Sequence, residues 1–388
     1  MNPIIPPPRA AAGDAQLSAI AAVCRSASIV GLACSLALPA AATPFSVVNL
    51  VTDDQLVNPA QITDPNLVNA WGISHSSGSP FWVSSNGKGL SVLYQVDPVT
   101  NATTKLGLEV TIPGAGNVTG QVFNVGGAGN FNGNTFLFVS EDGTVSGWRG
   151  ALGTAAETLV TASPDNEYKG SAIALIGSDA YLYAADFAGG TVDVYKGNAA
   201  ASDLTGSFTD PNLPDGYAPF NVQNLDGTLY VTYAVRGPTG DDVAGLGNGI
   251  VDAYDLQGNL LGRVGSNGTL NSPWGLAIAP TGFAEFAGDL LVGNFGDGHI
   301  NIFDLASDSF VGQLSDRDGT PLGIDGLWGL IAGNDGKAGS TQKIYFSAGP
   351  GGEDHGLFGV LQVPEPASVA LLGLGIVLLG TLRSRAIA

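Results

Sequence analysis

The amino-acid sequence predicts an all-β fold, a six-bladed β-propeller of the NHL-like kind. Three observations point there. First, a Trp-Gly-aliphatic motif recurs at Trp71, Trp274 and Trp328. The last two stand 54 residues apart and the first two 203, which is four steps of about 51. Second, an apolar strand ending in a polar, Gly-rich turn follows each copy of the motif. Third, the period of about 50 residues holds at least three strands with room for a fourth, the size of a propeller blade.

The elements follow in chain order. At the N-terminus Arg9 and Arg25 precede the apolar run SIVGLACSLALPA and then AAATPF. A basic region, a short apolar region and a small-residue cleavage site read as a signal peptide over residues 1–42. A buried helix opening a domain is the other reading of this run. The β-rich stretch FSVVNLVTD near Phe45 precedes the first full repeat, and it is expected to supply the outer strand of the last blade.

Six repeats then fill residues 43–362. Degenerate forms of the Trp-Gly motif, GQVFNV near Val122, GSAIAL near Ala172 and PFNV near Val222, occupy the gaps. The six strand-and-turn markers are FWVSSNGKG, FLFVSEDG, YLYAADFAGG, LYVTYAVRG, LLVGNFGDG and IYFSAGPGG. Their alternation and their β-branched and aromatic content mark strands bounded by turns. A further strand closes each unit: SVLYQVD, TVSGW, TVDVYKG, IVDAYDL, HINIFDL and HGLFGVL. The Trp-Gly pairs read as structural, with the indole packed between blades and the glycine admitting a close backbone neighbour.

Residues 363–388 form the last segment. The apolar run 367–382 is slightly shorter than the ~20 residues that span a bilayer comfortably. Arg383 and Arg385 follow it, which by the positive-inside rule leaves the body outside the cytoplasm.

Composition narrows the function. The formal net charge is −20, and because four of the 14 basic and one of the 34 acidic side chains lie outside residues 43–366, that span carries −23. Such a surface repels nucleic acid and anionic lipid. It suits cations, neutral sugars or plain solubility. The only cysteines, Cys24 and Cys34, precede the body, which excludes thiol catalysis and iron–sulfur clusters there. No Gly-x-Ser-x-Gly elbow, His-Glu-x-x-His helix or phosphate loop occurs.

Two resemblances add to this. Val363, Pro364, Glu365 and Pro366, followed by the apolar run and a basic tip, resemble the PEP-CTERM sorting signal. That resemblance implies export, a transient inner-membrane anchor as the only membrane contact, recognition of the Pro-Glu-Pro motif by an exosortase, and a final place at the cell surface or in the extracellular matrix. The body, through TDPNLVNAWGIS, FTDPNLPDGYAPFNVQ, SPWGLAIAP, LLVGNFGDGHIN and SAGPGGEDHGLFG, resembles an uncharacterised bacterial family of secreted propellers that often carry such tails. The family implies fold and export and supplies no activity. PEP-CTERM systems are associated with exopolysaccharide, so exopolysaccharide, or an envelope protein, is the partner this resemblance implies.

Chemistry is expected on one face. In a four-stranded blade the lead-in to the first strand and the loop between the second and third strands open on the same side. That gathers Asn69, Asn86, Glu141, Asp186, Asn271, Asn294 and Asp325 around one channel mouth as candidate ligand-binding residues. The insertion RGPTGDDVAGLGNG, residues 236–249, overhangs it. His299 and His355, with Glu353 and Asp297, form a candidate set for a divalent metal, calcium or zinc. Solvated turn residues are the plainer reading of the same four. His75 is expected on the opposite side as a structural residue. Two functions stay open: a non-enzymatic binding or matrix-associated protein, and a metal-dependent hydrolase or lyase with its site at the channel mouth.

Overall fold

Each repeat carries apolar, β-branched and aromatic side chains on strands too short to bury them alone, so neighbouring repeats must stack. The structure, a computed structural model, describes residues 43–364. Six sheets result, antiparallel throughout except that the two-residue strand Ile62–Thr63 pairs parallel with Ser46–Thr52 at the outer edge of the last blade. Blade 1 runs outward from the axis through Ala70–Ser74, Phe81–Ser85, Leu90–Val96 and Thr103–Thr111. Blade 2 comprises Val118–Phe123, Phe136–Ser140, Val145–Trp148 and Glu157–Val160. Blade 3 has three strands, Tyr168–Ile176, Asp179–Asp186 and Thr191–Lys196. Blade 4 holds Tyr217–Leu225, Thr228–Val235, Ile250–Tyr254 and Leu260–Ser266. Blade 5 holds Pro273–Ile278, Leu290–Asn294, Ile300–Asp304 and Ser309–Gln313.

Blade 6 is built from both ends of the body. Leu327–Ala332, Ile344–Ala348 and Leu357–Gln362 come from the last repeat. Ser46–Thr52 pairs antiparallel with the last of these, in register from Ser46 opposite Gln362 to Thr52 opposite Leu357. The stretch after Phe45 thus closes the ring, as its β-rich sequence leads one to expect. Blade 3 falls one strand short of the four-strand pattern and leaves Thr191–Lys196 as an edge. Asp193 and Lys196 lie on that edge, and charged residues there disfavour pairing with another chain. The expected signal peptide and sorting helix, with Glu365 and Pro366, lie outside the described residues. Among the described residues no helix is long and apolar enough to cross a membrane.

The same irregularity recurs in all six inner strands: each pairing with its second strand shifts register near the Trp-Gly position. The shifts fall between Ala70 and Ile73, Val118 and Gln121, Tyr168 and Gly170, Pro219 and Asn221, Pro273 and Gly275, and Leu327 and Leu330. A bulge re-aims the residue it carries. At the centres of these bulges stand Trp71, Thr119, Lys169, Phe220, Trp274 and Trp328.

The glycine after each bulge explains how six strands fit around one axis. A Cβ on Gly72 would lie 2.4 Å from the Thr119 carbonyl oxygen, one on Gly120 2.6 Å from the Ser171 nitrogen, and one on Gly275 2.6 Å from the Trp328 carbonyl oxygen. Blade 4 has Asn221 instead, which donates through Nδ2 to the Trp274 carbonyl at 2.8 Å. Overpacking of this kind typically costs about 1–3 kcal/mol. We therefore expect Gly72→Ala to lower unfolding free energy by about that much in urea titrations. Gly107→Ala, whose Cβ would meet nothing within 4 Å, is expected to leave it unchanged.

Blade 4 and its lead-in hold a buried ionisable cluster. Asp252, on the third strand of blade 4, is fully buried, and its Oδ1 accepts a 2.9 Å bond from Arg263 Nε. Arg263 also pairs with Asp210, while Asp252 Oδ2 has no partner among the described residues. Burial pushes the Asp252 carboxyl up to about 6, with Arg263 opposing. Because the folded state holds this proton more tightly than the unfolded chain, the contribution of Asp252 to stability falls as pH rises from the ordinary carboxylate range through about 6. Asp252→Asn is expected to flatten that decline in denaturation curves taken between pH 4 and 7.5.

Candidate functional site at the loop-face mouth

The bulges deliver their side chains to the axis. Trp71, Trp274, Trp328 and Phe220 join Phe187 in one buried cluster, with Phe295 packed against it. Phe295 stacks on Trp328 at 3.9 Å and Trp328 on Trp71 at 3.7 Å between ring centroids. The indoles therefore converge over the channel from blades 1, 5 and 6. This corrects the expectation that they pack between blades, and the cause is the bulge, which turns them off the blade surface. Trp274 Nε1 donates across the axis to the Lys169 carbonyl at 3.0 Å, and Trp328 Nε1 donates to Asn69 Oδ1 at 2.8 Å. Trp71 Nε1 has no partner among the described residues.

Above this aromatic floor runs a polar network. Asn69, at the lead-in to blade 1, has φ +47°, a left-handed conformation that Asn tolerates better than most residues. Its Nδ2 donates to Glu353 Oε2 at 2.6 Å and to Asn86 Oδ1 at 3.3 Å. Asn86 Nδ2 passes the chain on to Glu141 Oε2 at 3.1 Å. Lys169 Nζ then bridges Glu141 at 2.6 Å and Glu167 at 2.7 Å. The network spans blades 6, 1, 2 and 3.

Lys169 is its charged centre. It is only 5% exposed and lies 5.5 Å from the Trp71 ring centroid. Burial alone would lower its pKa, but Glu141 and Glu167 outweigh burial and hold it above the ordinary value. Glu353 moves the other way for a carboxylate. Burial raises its pKa, Asn69 opposes the rise and the charge of Glu141 adds to it. Burial likewise raises Asp242, in the overhanging insertion. The insertion reaches over the same region. Arg236 and Thr239 line a cleft of about 480 Å³ with Glu141, Asn166 and Glu167.

The sequence-based candidates divide into two groups. Asn69, Asn86, Glu141 and Glu353 meet in the network. Asp186 instead fixes its own turn, accepting from Glu167 N and Gly189 N, both at 2.9 Å. Asn294 and Asn271 brace blade 5: Asn294 Nδ2 donates to the Thr269 carbonyl at 2.8 Å, and Asn271 Nδ2 to Asp297 at 3.1 Å. Asp325 accepts from Gly351 N at 2.8 Å. His355 Nδ1 lies 3.0 Å from Asp53, whose hydrogen bond raises its pKa, while His299 Nδ1 lies 3.6 Å from Asp297. His299 and Asp297 thus lie against each other, while His355 and Glu353 are engaged elsewhere, by Asp53 and Asn69. Among the described residues no group of three or more His, Cys, Asp or Glu side chains is arranged to hold a metal ion. His75 lies on the opposite side, its ring nitrogens 2.9 and 2.8 Å from the Ser76 and Ala332 carbonyls.

Lys169, Glu167 and Asp242 escaped the sequence reading. A signal for Lys169 was present. In GSAIAL the glycine is preceded by lysine, at the position three of the other five repeats fill with tryptophan.

Comparisons with known proteins follow from this fold and site. Residues 362–386 match the PEP-CTERM protein-sorting motif. The chain is 32% identical over 297 residues to uncharacterized protein R648 of Acanthamoeba polyphaga mimivirus, covering 70% of each chain. It is 32% identical over 321 residues to uncharacterized protein L690 of the same virus, covering 77% of this chain and 81% of that one. Among solved structures it is similar to a streptogramin B lyase, with a TM-score of 0.42 at 10% identity over 82% of this chain and 97% of that one. It is also similar to the PQQ-bound aldose sugar dehydrogenase of Streptomyces coelicolor, with a TM-score of 0.46 at 16% identity over 84% and 100%. At those scores neither enzyme informs the chemistry here, and the six blades rest on the strand pairing itself.

The network makes one energetic test available. Removing one partner of a buried ion pair leaves an uncompensated charge, typically at about 3–5 kcal/mol. Lys169→Met is expected to destabilise the fold strongly at pH 7, and Glu141→Gln in the same chain to restore part of the loss. A double-mutant cycle from urea denaturation measures that coupling.

Proposed function

The chain belongs to the family of the mimivirus proteins R648 and L690, and from that premise we propose that it is an exported propeller that binds a hydroxyl-rich extracellular polysaccharide at its loop-face mouth. Export and processing rest on the PEP-CTERM motif, which makes the chain an exosortase substrate, anchored in the membrane transiently before processing. The observation that carries the binding reading is the continuous chain Glu353–Asn69–Asn86–Glu141–Lys169–Glu167 over an aromatic floor.

A sugar hydroxyl both donates and accepts. Carboxylates, amides and an ammonium held in fixed alternation offer it partners of each kind. The side chains are already ordered by one another, so little conformational entropy is lost when a ligand docks. Arg236 and Thr239, beside the cleft, extend the same chemistry outward. A final place at the cell surface or in the matrix goes with this reading, since that is where such a polymer lies.

Co-sedimentation with the native envelope polysaccharide tests it. Saturable binding is expected, weakened at least tenfold by Glu141→Gln combined with Asn86→Ala while the far-ultraviolet spectrum stays native. The reading fails if the wild-type protein does not bind, or if the paired substitution leaves binding intact.

A further inference from the structure

The C-terminal ends of the six inner strands open on the face away from the acidic network, and they form a second mouth of different character. Two clefts there, of about 460 and 240 Å³, share His75, Gln223, Asn224 and Ile331. Together they fall in the size range of small-molecule sites. Above them the channel narrows to a neck of about 10 Å³, lined by residues of all six blades and ending against Trp274. The second mouth is therefore a blind funnel.

Its chemistry is neutral. Ile73, Leu276, Leu330 and Ile331 supply apolar wall. Neither Lys nor Arg lines it, and its one carboxylate, Asp226, stands on the exposed rim. That is unusual in a chain of net charge −20.

Most polar groups in the funnel are already engaged. His75 contacts two carbonyls, Gln121 spans Ser91 Oγ and the Gly72 carbonyl, and Asn224 donates to the Ile173 carbonyl. Two are not. Ser171, 5% exposed, lines both the smaller cleft and the neck, and its Oγ has no partner among the described residues. The Gln223 side chain lines both clefts and the neck, and it too lacks a hydrogen-bond partner there.

We propose that this mouth is a second binding site, for a neutral molecule with an apolar body and a single hydrogen-bonding end. The Ser171 hydroxyl and the Gln223 amide take the polar end at the neck, and the aliphatic wall covers the body. An ionised ligand is excluded because burying it here would leave its charge without a counter-charge. Orphaned buried polar groups destabilise a fold unless something satisfies them, and a ligand entering the funnel does so. The site lies on the opposite face from the polysaccharide mouth, and neither proposal depends on the other.

Titrating the exported protein with N-phenyl-1-naphthylamine, a neutral dye whose emission rises on leaving water, tests this. One saturable site is expected. Gln223→Glu, which places a charge at the neck, is expected to weaken it at least tenfold, and Ser171→Ala several-fold. Leu56→Ser, at a highly exposed apolar residue outside the funnel, is expected to leave it unchanged. Circular dichroism checks that each variant is folded. If Gln223→Glu is not, Ser171→Ala decides alone, because it removes a hydroxyl with no structural partner. Absence of saturable binding, or binding that survives the deciding substitution, overturns the proposal.

Discussion

Everything in this molecule depends on how closely six backbones approach one axis. The inner strands meet where a glycine of one faces a main-chain or side-chain atom of the next, at distances that leave no room for a methyl group. This contact is repulsive in its limits and attractive through what it permits. It lets each strand bulge, and the bulge sends one side chain per blade into the channel. The aromatic floor, the buried lysine and the two unlike mouths all follow from that local deformation repeated around the ring.

The bulge positions also show how one structural slot can serve two ends. Where tryptophan fills the slot, the gain is apolar burial and ring stacking over the axis. Where lysine fills it, in blade 3, the same geometry buries a charge, and Glu141 and Glu167 must neutralise it. Those carboxylates reach it from turns whose own shape is set elsewhere, by Asp186 in blade 3 and by the Asn69–Asn86 bridge in blade 1. A polar site therefore sits on the axis with its supports distributed over four blades, which fixes its geometry more firmly than a single loop can.

The repeat made the fold legible because its markers are chemical necessities. Tryptophan before glycine, strand before turn and a closing strand ahead of the first repeat each answer a packing demand that recurs with fixed period. The site was only partly legible. Asn69, Asn86 and Glu141 were found because turn loops on one face are a topological consequence of the blade. Asp186, Asn271 and Asn294 look alike in sequence, yet they spend their hydrogen bonds bracing neighbouring loops and stay outside the Glu353–Glu167 chain, and only distance tells the two roles apart. The two histidines were misleading for the same reason, since proximity along neighbouring repeats does not bring them to common partners. Lys169 was hidden by its surroundings, because a lone lysine at a strand start reads as exposed until the repeats are superimposed.

Blade 6 joins Ser46 to Gln362, a separation of 316 residues, in a single sheet. The first strand to be synthesised is thus among the last to find its seat. Until the final repeat has left the ribosome and crossed the membrane, five blades can stack but the ring stays open, with an unpaired strand at each end of the body. Closure is consequently a long-range event, of the kind that slows folding and leaves strand edges exposed in the meantime. A chain cut short before Leu357–Gln362 cannot make the last sheet, so an intact C-terminal repeat is a condition for a closed ring.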